Sequence, residues 1–217
     1  DVCSSDLKDN IFIILSVVAV ILLIISDLLF HIFRAGSNFA EKEINNDLNR
    51  KDFVDSLTSV SNKDAYNDYM KKLQERADKE DRSDIAIAVF DCCRLKTVIE
   101  QYGHDKGDIY LRNSCWFICK VFNHSPVFRT SEDKFVVFLM NEDFKNREKI
   151  FDLFEQRRAD ADRSAENEWD EIDIVYGVTV YDPDIDDYLT DTVKRAGKLM
   201  NDNKNKARAK IKKDDPQ

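Results

Sequence analysis

The chain has few cysteines, and their spacing removes one class of site. It contains five cysteines in 217 residues; Cys92 and Cys93 are adjacent, and Cys115 and Cys119 lie four positions apart. Neither spacing is the CxxC pattern of a zinc site, and so few cysteines do not make a disulfide framework. We expect buried free thiols in a reducing compartment, with transition-metal binding by Asp91, Cys92 and Cys93 as the alternative.

The chain also has no surplus of basic residues. It carries 33 Lys and Arg against 42 Asp and Glu, which gives a formal net charge of −9. A surface of that sign repels phosphate backbones, so we expect no nucleic-acid partner. The basic segment at residues 204–213 is an exception that an ordinary solvated helix end explains. The length and the 43% share of hydrophobic residues allow one full domain core.

One long run near the N-terminus lacks charge. Residues 11–26 contain no charged side chain, and residues 11–33 are long enough to cross a bilayer. We expect a transmembrane helix within residues 8–34, in which Asp27 lies at the headgroup level or faces a partner helix. Four basic residues follow the run within residues 34–51, against one before it. The positive-inside rule therefore predicts a single-pass cell-membrane protein with a cytoplasmic C-terminal domain.

Composition also sets the other boundaries. Residues 1–7 look like one reading frame of a common sequencing-library adapter, and we hypothesise that they are not native and that the protein continues upstream. Residues 35–54 are polar, with apolar positions at near-helical spacing. This pattern predicts a helical connector that dimerises or packs on its own domain. Residues 55–209 form the expected domain, and residues 210–217 a C-terminal tail.

Short apolar strands alternate with helical segments in this domain. Strands are predicted at residues 85–90, 127–129, 135–139 and 172–181. Helices are predicted near residues 63–79, 93–101, 106–122, 146–163 and 189–203, the first of them capped by the turn-rich residues 55–62. This order indicates an α/β domain of the α+β sandwich type. Its mixed sheet would combine a hairpin with helix-connected strands, with helices around it and the transmembrane helix before it.

The hairpin turn lacks glycine. It reads Thr130-Ser131-Glu132-Asp133-Lys134, and the upstream strand ends at Asp91. Two acidic strand ends of this kind suit a divalent metal and a nucleoside triphosphate. A phosphate-binding loop favours glycine, however, because glycine lets the backbone approach closely and adopt positive φ. Ser131 and Glu132 occupy these positions, so we expect part of the nucleotide chemistry to be lost.

The order of these motifs resembles the GGDEF domain, the diguanylate cyclase family. The family's D-x-D-x-F-K-x-x-N-D-x-Y-G-H-x-x-G-D signature aligns with residues 91–108, its R-Y-G-G-D-E-F turn with residues 129–135, and its A-K-x-x-G-R motif with residues 203–208. The resemblance covers residues 53–209 and implies a nucleotide-cyclase-like fold. Active members join two GTP molecules into cyclic di-GMP across a two-fold dimer, with divalent ions bridging phosphates and carboxylates.

The resemblance implies roles for particular residues. It gives vestigial catalytic residues at Lys96 and Asp133, metal ligands at Asp91 and Asp133, and substrate contacts at Asp108, Lys204 and Arg208. Each role has a structural alternative. The acids at the strand ends also suit caps or ion pairs, the basic residues suit solvated surface charges, and Asp108 suits a helix cap.

Four departures weaken these roles. Cys93 replaces an oxygen ligand by soft sulfur, and Ile99 replaces the Asn that binds guanine. Glu132 adds a negative charge where phosphates approach, and Lys134 puts a cation where a metal ion would bind. Lys134 has a second interpretation, in which its ammonium group neutralises phosphate in place of the ion.

We therefore expect a membrane-anchored signalling protein with a degenerate, catalytically inactive GGDEF domain that acts by binding a nucleotide or a protein partner. Mg²⁺ or Mn²⁺ is expected only together with bound GTP, and a homodimer is expected. Two alternatives stay open. One is an active diguanylate cyclase that makes cyclic di-GMP from two GTP with an atypical site, and the other is a purely structural dimerisation relay.

Overall fold

The computed structural model describes residues 52–77 and 84–214 of the chain. Residues 1–7, the transmembrane helix predicted within residues 8–34 and nearly all of the predicted connector lie outside this part. Among the residues that the structure describes, no helix is both long enough and apolar enough to cross a membrane.

Four strands form one sheet in the order β2-β3-β1-β4. They are β1 (Ile85–Cys92), β2 (Val127–Arg129), β3 (Lys134–Met140) and β4 (Ile174–Val180). All three neighbouring pairs of these strands are antiparallel, so the prediction of a mixed sheet is wrong. The helix-connected strands β1 and β2 do run in the same direction. They do not pair, because the hairpin folds back and inserts β3 between them.

Helices cover both faces of the sheet. They are α1 (Lys63–Ala77), α2 (Leu95–Tyr102), α3 (His104–Val121), α4 (Asn141–Lys145), α5 (Arg147–Ser164) and α6 (Leu189–Asp214), with a 3₁₀ turn at Glu168–Asp170. The last helix continues into the segment that was predicted to be a tail. Asn62 caps α1 as predicted, because its side-chain oxygen accepts hydrogen bonds from the N–H groups of Asp64 and Ala65, both at 3.0 Å.

Alternate residues of the central strand β1 face two separate cores. Ala88 and Phe90 pack with residues of α3 and α5, whereas Ile87 and Val89 pack with residues of α1 and α6. Phe90 anchors the first core, where its ring centroid lies 5.6 Å from that of Phe154. Because side chains alternate along a strand, β1 must be apolar on both faces, and this explains its continuous apolar sequence.

Two glycines occupy positions where a side chain would be strained or would clash. Gly103 has φ of 85°, a left-handed conformation that turns the chain between α2 and α3. Gly177 lies on β4 against the backbone of α6. A Cβ atom there would lie 2.3 Å from the carbonyl oxygen of Ala196 and 2.4 Å from the amide nitrogen of Met200. The absence of a side chain at Gly177 therefore sets how closely α6 approaches the sheet.

We predict that Gly177→Ala destabilises the domain by about 1–3 kcal/mol, because the added methyl group forces α6 away from β4. Gly197→Ala is the matched control, since a Cβ at Gly197 meets no atom within 4 Å. Urea unfolding of the detergent-solubilised chain, followed by circular dichroism, measures both variants. Equal stability of Gly177→Ala and the native chain would contradict the packing described here.

Candidate functional site

The candidate site lies where β1 ends beside the first residue of β3. Asp91, near the end of β1, is paired in the ladder with Lys134, the first residue of β3. The side chain of Asp91 is only 2% exposed. A buried carboxylate requires a charged or hydrogen-bonding partner, since leaving it unpaired is costly. The residues around Asp91 therefore determine what this position can bind.

Two lysines provide that partner. Lys204, which reaches over from α6, places Nζ 2.6 Å from Oδ1 of Asp91. Lys134 places Nζ 3.6 Å from Oδ2 of Asp91 and 3.5 Å from Oδ1 of Asp133. Two carboxylates and two ammonium groups thus form one cluster, which we call the Asp91 cluster (Asp91, Asp133, Lys134 and Lys204). Its formal charge is zero without any bound ion.

The donor set does not fit a Mg²⁺ or Mn²⁺ ion in this arrangement. Burial, together with the charges of Asp173 and Asp91, raises the pKa of the Cys93 thiol to about 12, so the thiol stays protonated at neutral pH. Hard cations take oxygen ligands, and a neutral thiol is a poor substitute. In residues 52–77 and 84–214, no three His, Cys, Asp or Glu side chains are grouped so that they could hold a metal ion.

The hairpin turn is anchored to residues 55–58 at the start of the domain. Arg129 donates from Nη1 to both carboxylate oxygens of Asp55, at 2.9 and 3.1 Å, and from Nη2 to the carbonyl oxygen of Glu132 at 2.8 Å. Asp55 also accepts hydrogen bonds from the amide and hydroxyl of Thr58. Burial alone would raise the pKa of Asp55, but the bonds from Thr58 and Arg129 hold it below its ordinary value. The turn is therefore fixed by charge-assisted hydrogen bonds.

The glycine-free turn is not strained. Ser59 and Asn141 are the non-glycine residues with positive φ in the part of the chain that the structure covers, and neither belongs to the turn. Thr130 closes the turn by donating its amide to the carbonyl oxygen of Lys134 at 3.0 Å. The side chains of Ser131 and Glu132 are exposed. Glu132 adds a negative charge to the exposed surface of the turn.

Three predicted site residues do not join the cluster. Lys96 is 88% exposed on α2, where its Nζ lies 3.7 Å from Glu100. Asp108 is exposed in the second turn of α3, and because this helix begins at His104, Asp108 does not cap it. Arg208 is exposed on α6, one turn beyond Lys204. The solvated-charge alternative thus describes Lys96 in this structure, whereas it does not describe Lys204.

Ile99 packs against the helix that follows it. A Cβ added at Gly107 would lie 2.4 Å from Cγ1 of Ile99, so this side chain already fills the space between α2 and α3. A purine edge at this point would meet an apolar surface. Each base polar group left without a hydrogen-bond partner in a closed site costs about 1–3 kcal/mol.

Other residues beside the cluster had no local signal in the sequence. Arg94, which follows β1, forms ion pairs with Glu168, at 2.8 Å, and with Glu171. Cys93 donates its amide to the carbonyl oxygen of Asp173 at 3.0 Å. Burial raises the pKa of the Asp173 carboxyl, although the charge of Arg94 opposes this shift. These contacts depend on the pairing of β1 with β4, whose paired residues, from Cys92 with Ile174 to Ala86 with Val180, lie far apart in sequence.

Comparison with known proteins agrees with this fold. The family model described as "Diguanylate cyclase, GGDEF domain" matches residues 52–210. No curated protein sequence matches the chain.

Solved structures give the same result. A coiled-coil and GGDEF structure of DgcB from Caulobacter crescentus, in complex with c-di-GMP, has a TM-score of 0.62 at 19% identity and covers 79% of this chain and 93% of its own. The diguanylate cyclase SiaD from Pseudomonas aeruginosa, in complex with its activator SiaC, has a TM-score of 0.62 at 19% identity, with coverage of 82% and 68%.

The FimX GGDEF domain from Pseudomonas aeruginosa has a TM-score of 0.61 at 14% identity and covers 71% of this chain and 94% of its own. At these identities the structural similarities establish the fold, whereas the family match extends over most of the sequence. The chain belongs to the diguanylate cyclase GGDEF domain family.

Proposed function

We propose that this protein is a membrane-anchored signalling protein whose GGDEF domain acts by binding rather than by turnover of GTP. The observation that carries the proposal is the pairing of Asp91 with Lys204 and Lys134. In the reaction of active family members, divalent ions neutralise the phosphates and activate the attacking hydroxyl. Here the carboxylates that would hold these ions are already neutralised by side chains of the same chain.

The size of the charge effects supports a loss of turnover. A unit charge about 4 Å from another in a setting of effective dielectric near 20 contributes roughly 4 kcal/mol, and a divalent ion beside one ammonium group meets about twice that repulsion. Moving Lys204 away to admit an ion would break a buried ion pair, a change that costs about 3–5 kcal/mol when one partner is left uncompensated. Glu132 adds repulsion toward phosphate from the turn.

Binding of a protein partner does not need the ions or the phosphate contacts that these changes weaken. The framework around the cluster, including the Arg129–Asp55 anchor and the β1–β3 ladder, is complete. The similar cyclase SiaD was solved in complex with an activator protein, and we propose a protein partner for this domain as well. The proposed membrane anchor rests on the uncharged run at residues 11–26, and the proposed cytoplasmic location of the domain rests on the basic residues that follow it.

Metal-free nucleotide binding is a second candidate, and one observation favours it. The ammonium group of Lys134 lies 3.5–3.6 Å from its two carboxylate partners, farther than Lys204 lies from Asp91. Lys134 is also 38% exposed. Its ammonium group can turn from these looser contacts toward a phosphate while Lys204 remains paired. GTP bound in this way would need no divalent ion.

We predict that the detergent-solubilised full chain, incubated with GTP and Mg²⁺ or Mn²⁺, forms no cyclic di-GMP above the level of the Asp91→Ala variant. The reason is that the cluster leaves no place for the ions that the reaction requires. Liquid chromatography with mass detection measures the product. Steady accumulation by the native chain that Asp91→Ala abolishes would establish the active-cyclase alternative instead.

We also predict that Lys134→Glu combined with Cys93→Asp creates a metal site and strengthens Mn²⁺ binding about tenfold or more, because one ammonium group is removed and two oxygen ligands are added. Free Mn²⁺ measured by electron paramagnetic resonance reports the affinity. Lys198→Glu combined with Asn201→Asp, an equal charge change of −3 at exposed positions of α6, is the control. If both variants bind Mn²⁺ as the native chain does, Lys134 and Cys93 are not what excludes the ion.

A further inference from the structure

A groove between α3 and α5 shares no residue with the Asp91 cluster. Two cavities, of about 320 and 300 Å³, lie along it. Both are lined by Trp116 and Phe117 of α3 and by Ala161 of α5. The lining residues of α3 run from Asn113 to Val121, a length of about 12 Å along the helix axis. Because they share three lining residues, the two cavities adjoin each other along the groove.

Trp116 stands in the middle of the groove and is exposed to solvent. Its relative exposure is 61%, whereas Phe117 beneath it is 6% exposed. The ammonium group of Lys120 lies 4.5 Å from the centroid of the Trp116 ring, a cation–π contact that orients the ring. Ala161 faces this position with a small side chain, which leaves space beside the indole. Exposed tryptophans next to such space are typical of interface hot spots.

The two ends of the groove carry opposite charge. Lys120 and Arg157 line one cavity, whereas Glu166 and Asp170 line the other. Asp160 also lies at the basic end, but it forms an ion pair with Arg163 of its own helix. A partner of a single charge sign would match one end and oppose the other. In contrast, a two-fold axis that passes through the middle of the groove, perpendicular to its length, brings each basic end against an acidic end.

We propose that this groove is the interface with a second copy of the same chain. Trp116 of each copy enters the groove of the other beside Ala161, and Lys120 and Arg157 of each copy face Glu166 and Asp170 of the other. The contact is isologous, so both copies use the same surface. This goes beyond the proposed function, which assigns no surface to a second copy of the chain, and it does not depend on whether GTP is turned over.

The emission of Trp116 tests the proposal directly. Trp116 and Trp169 are the two tryptophans of the sequence, so Trp169→Phe leaves Trp116 as the single reporter. In the solubilised full chain with this change, we expect blue-shifted emission typical of a buried indole. Adding Glu166→Lys, which opposes Lys120 of the second copy with a like charge, should shift the emission to the red. Lys198→Glu, which also alters one charge on an exposed side chain, should leave the emission unchanged.

Charge complementation supplies the second measurement and does not need Trp169→Phe. Lys120→Glu and Glu166→Lys each place like charges face to face in their own dimers, whereas a mixture of the two restores an opposite-charge pair. Native mass spectrometry of the mixed chains should find the heterodimer about tenfold above the random proportion. A heterodimer at only the random proportion would overturn the proposal. Emission typical of an exposed indole from the Trp169→Phe chain would also overturn it, whatever other partner the groove binds.

Discussion

The buried ion pair between Asp91 and Lys204 joins the central strand to the last helix, and the candidate site depends on it. Lys204 reaches Asp91 because α6 packs closely against β4, where Gly177 leaves room for the helix backbone. The ladder between β1 and β3 brings Lys134 to the other oxygen of the same carboxylate. Burial makes this neutralisation necessary, since an unpaired carboxylate in the core would destabilise the domain.

In the proposed function, the domain keeps the family fold and does not turn over GTP. The apolar cores on both sides of β1 depend on residues that no ligand touches. Lys134 places its ammonium group 3.6 Å from Asp91, and Ile99 packs against Gly107 of α3. We propose that these two side chains take the places of an ion and of a base. The cluster needs no ligand for its charge balance, and the proposed function therefore has the domain act through contacts with a protein partner.

Much of the fold could be predicted from the sequence, because β1 is a continuous apolar run and the hairpin has a short polar turn. Asp91 and Asp133 were predicted to lie together, since both stand at strand ends. The pairing of Asp91 with Lys204 had no local signal, because 113 residues separate them and only the packing of α6 unites them. The sheet was predicted as mixed because a helical connection between two strands, as between β1 and β2, favours parallel pairing. These strands do not pair, because β3 lies between them, and this placement depends on tertiary packing.

The most direct test is a crystal structure of the protein grown with Mn²⁺ and a nonhydrolysable GTP analogue, with anomalous scattering recorded at the manganese edge. We expect no anomalous peak beside Asp91, and we expect the Nζ atom of Lys204 to stay within hydrogen-bond distance of the Asp91 carboxylate. An anomalous peak at about 2.2 Å from an Asp91 oxygen, with Lys204 turned away, would contradict the claim that lysine side chains replace the ion.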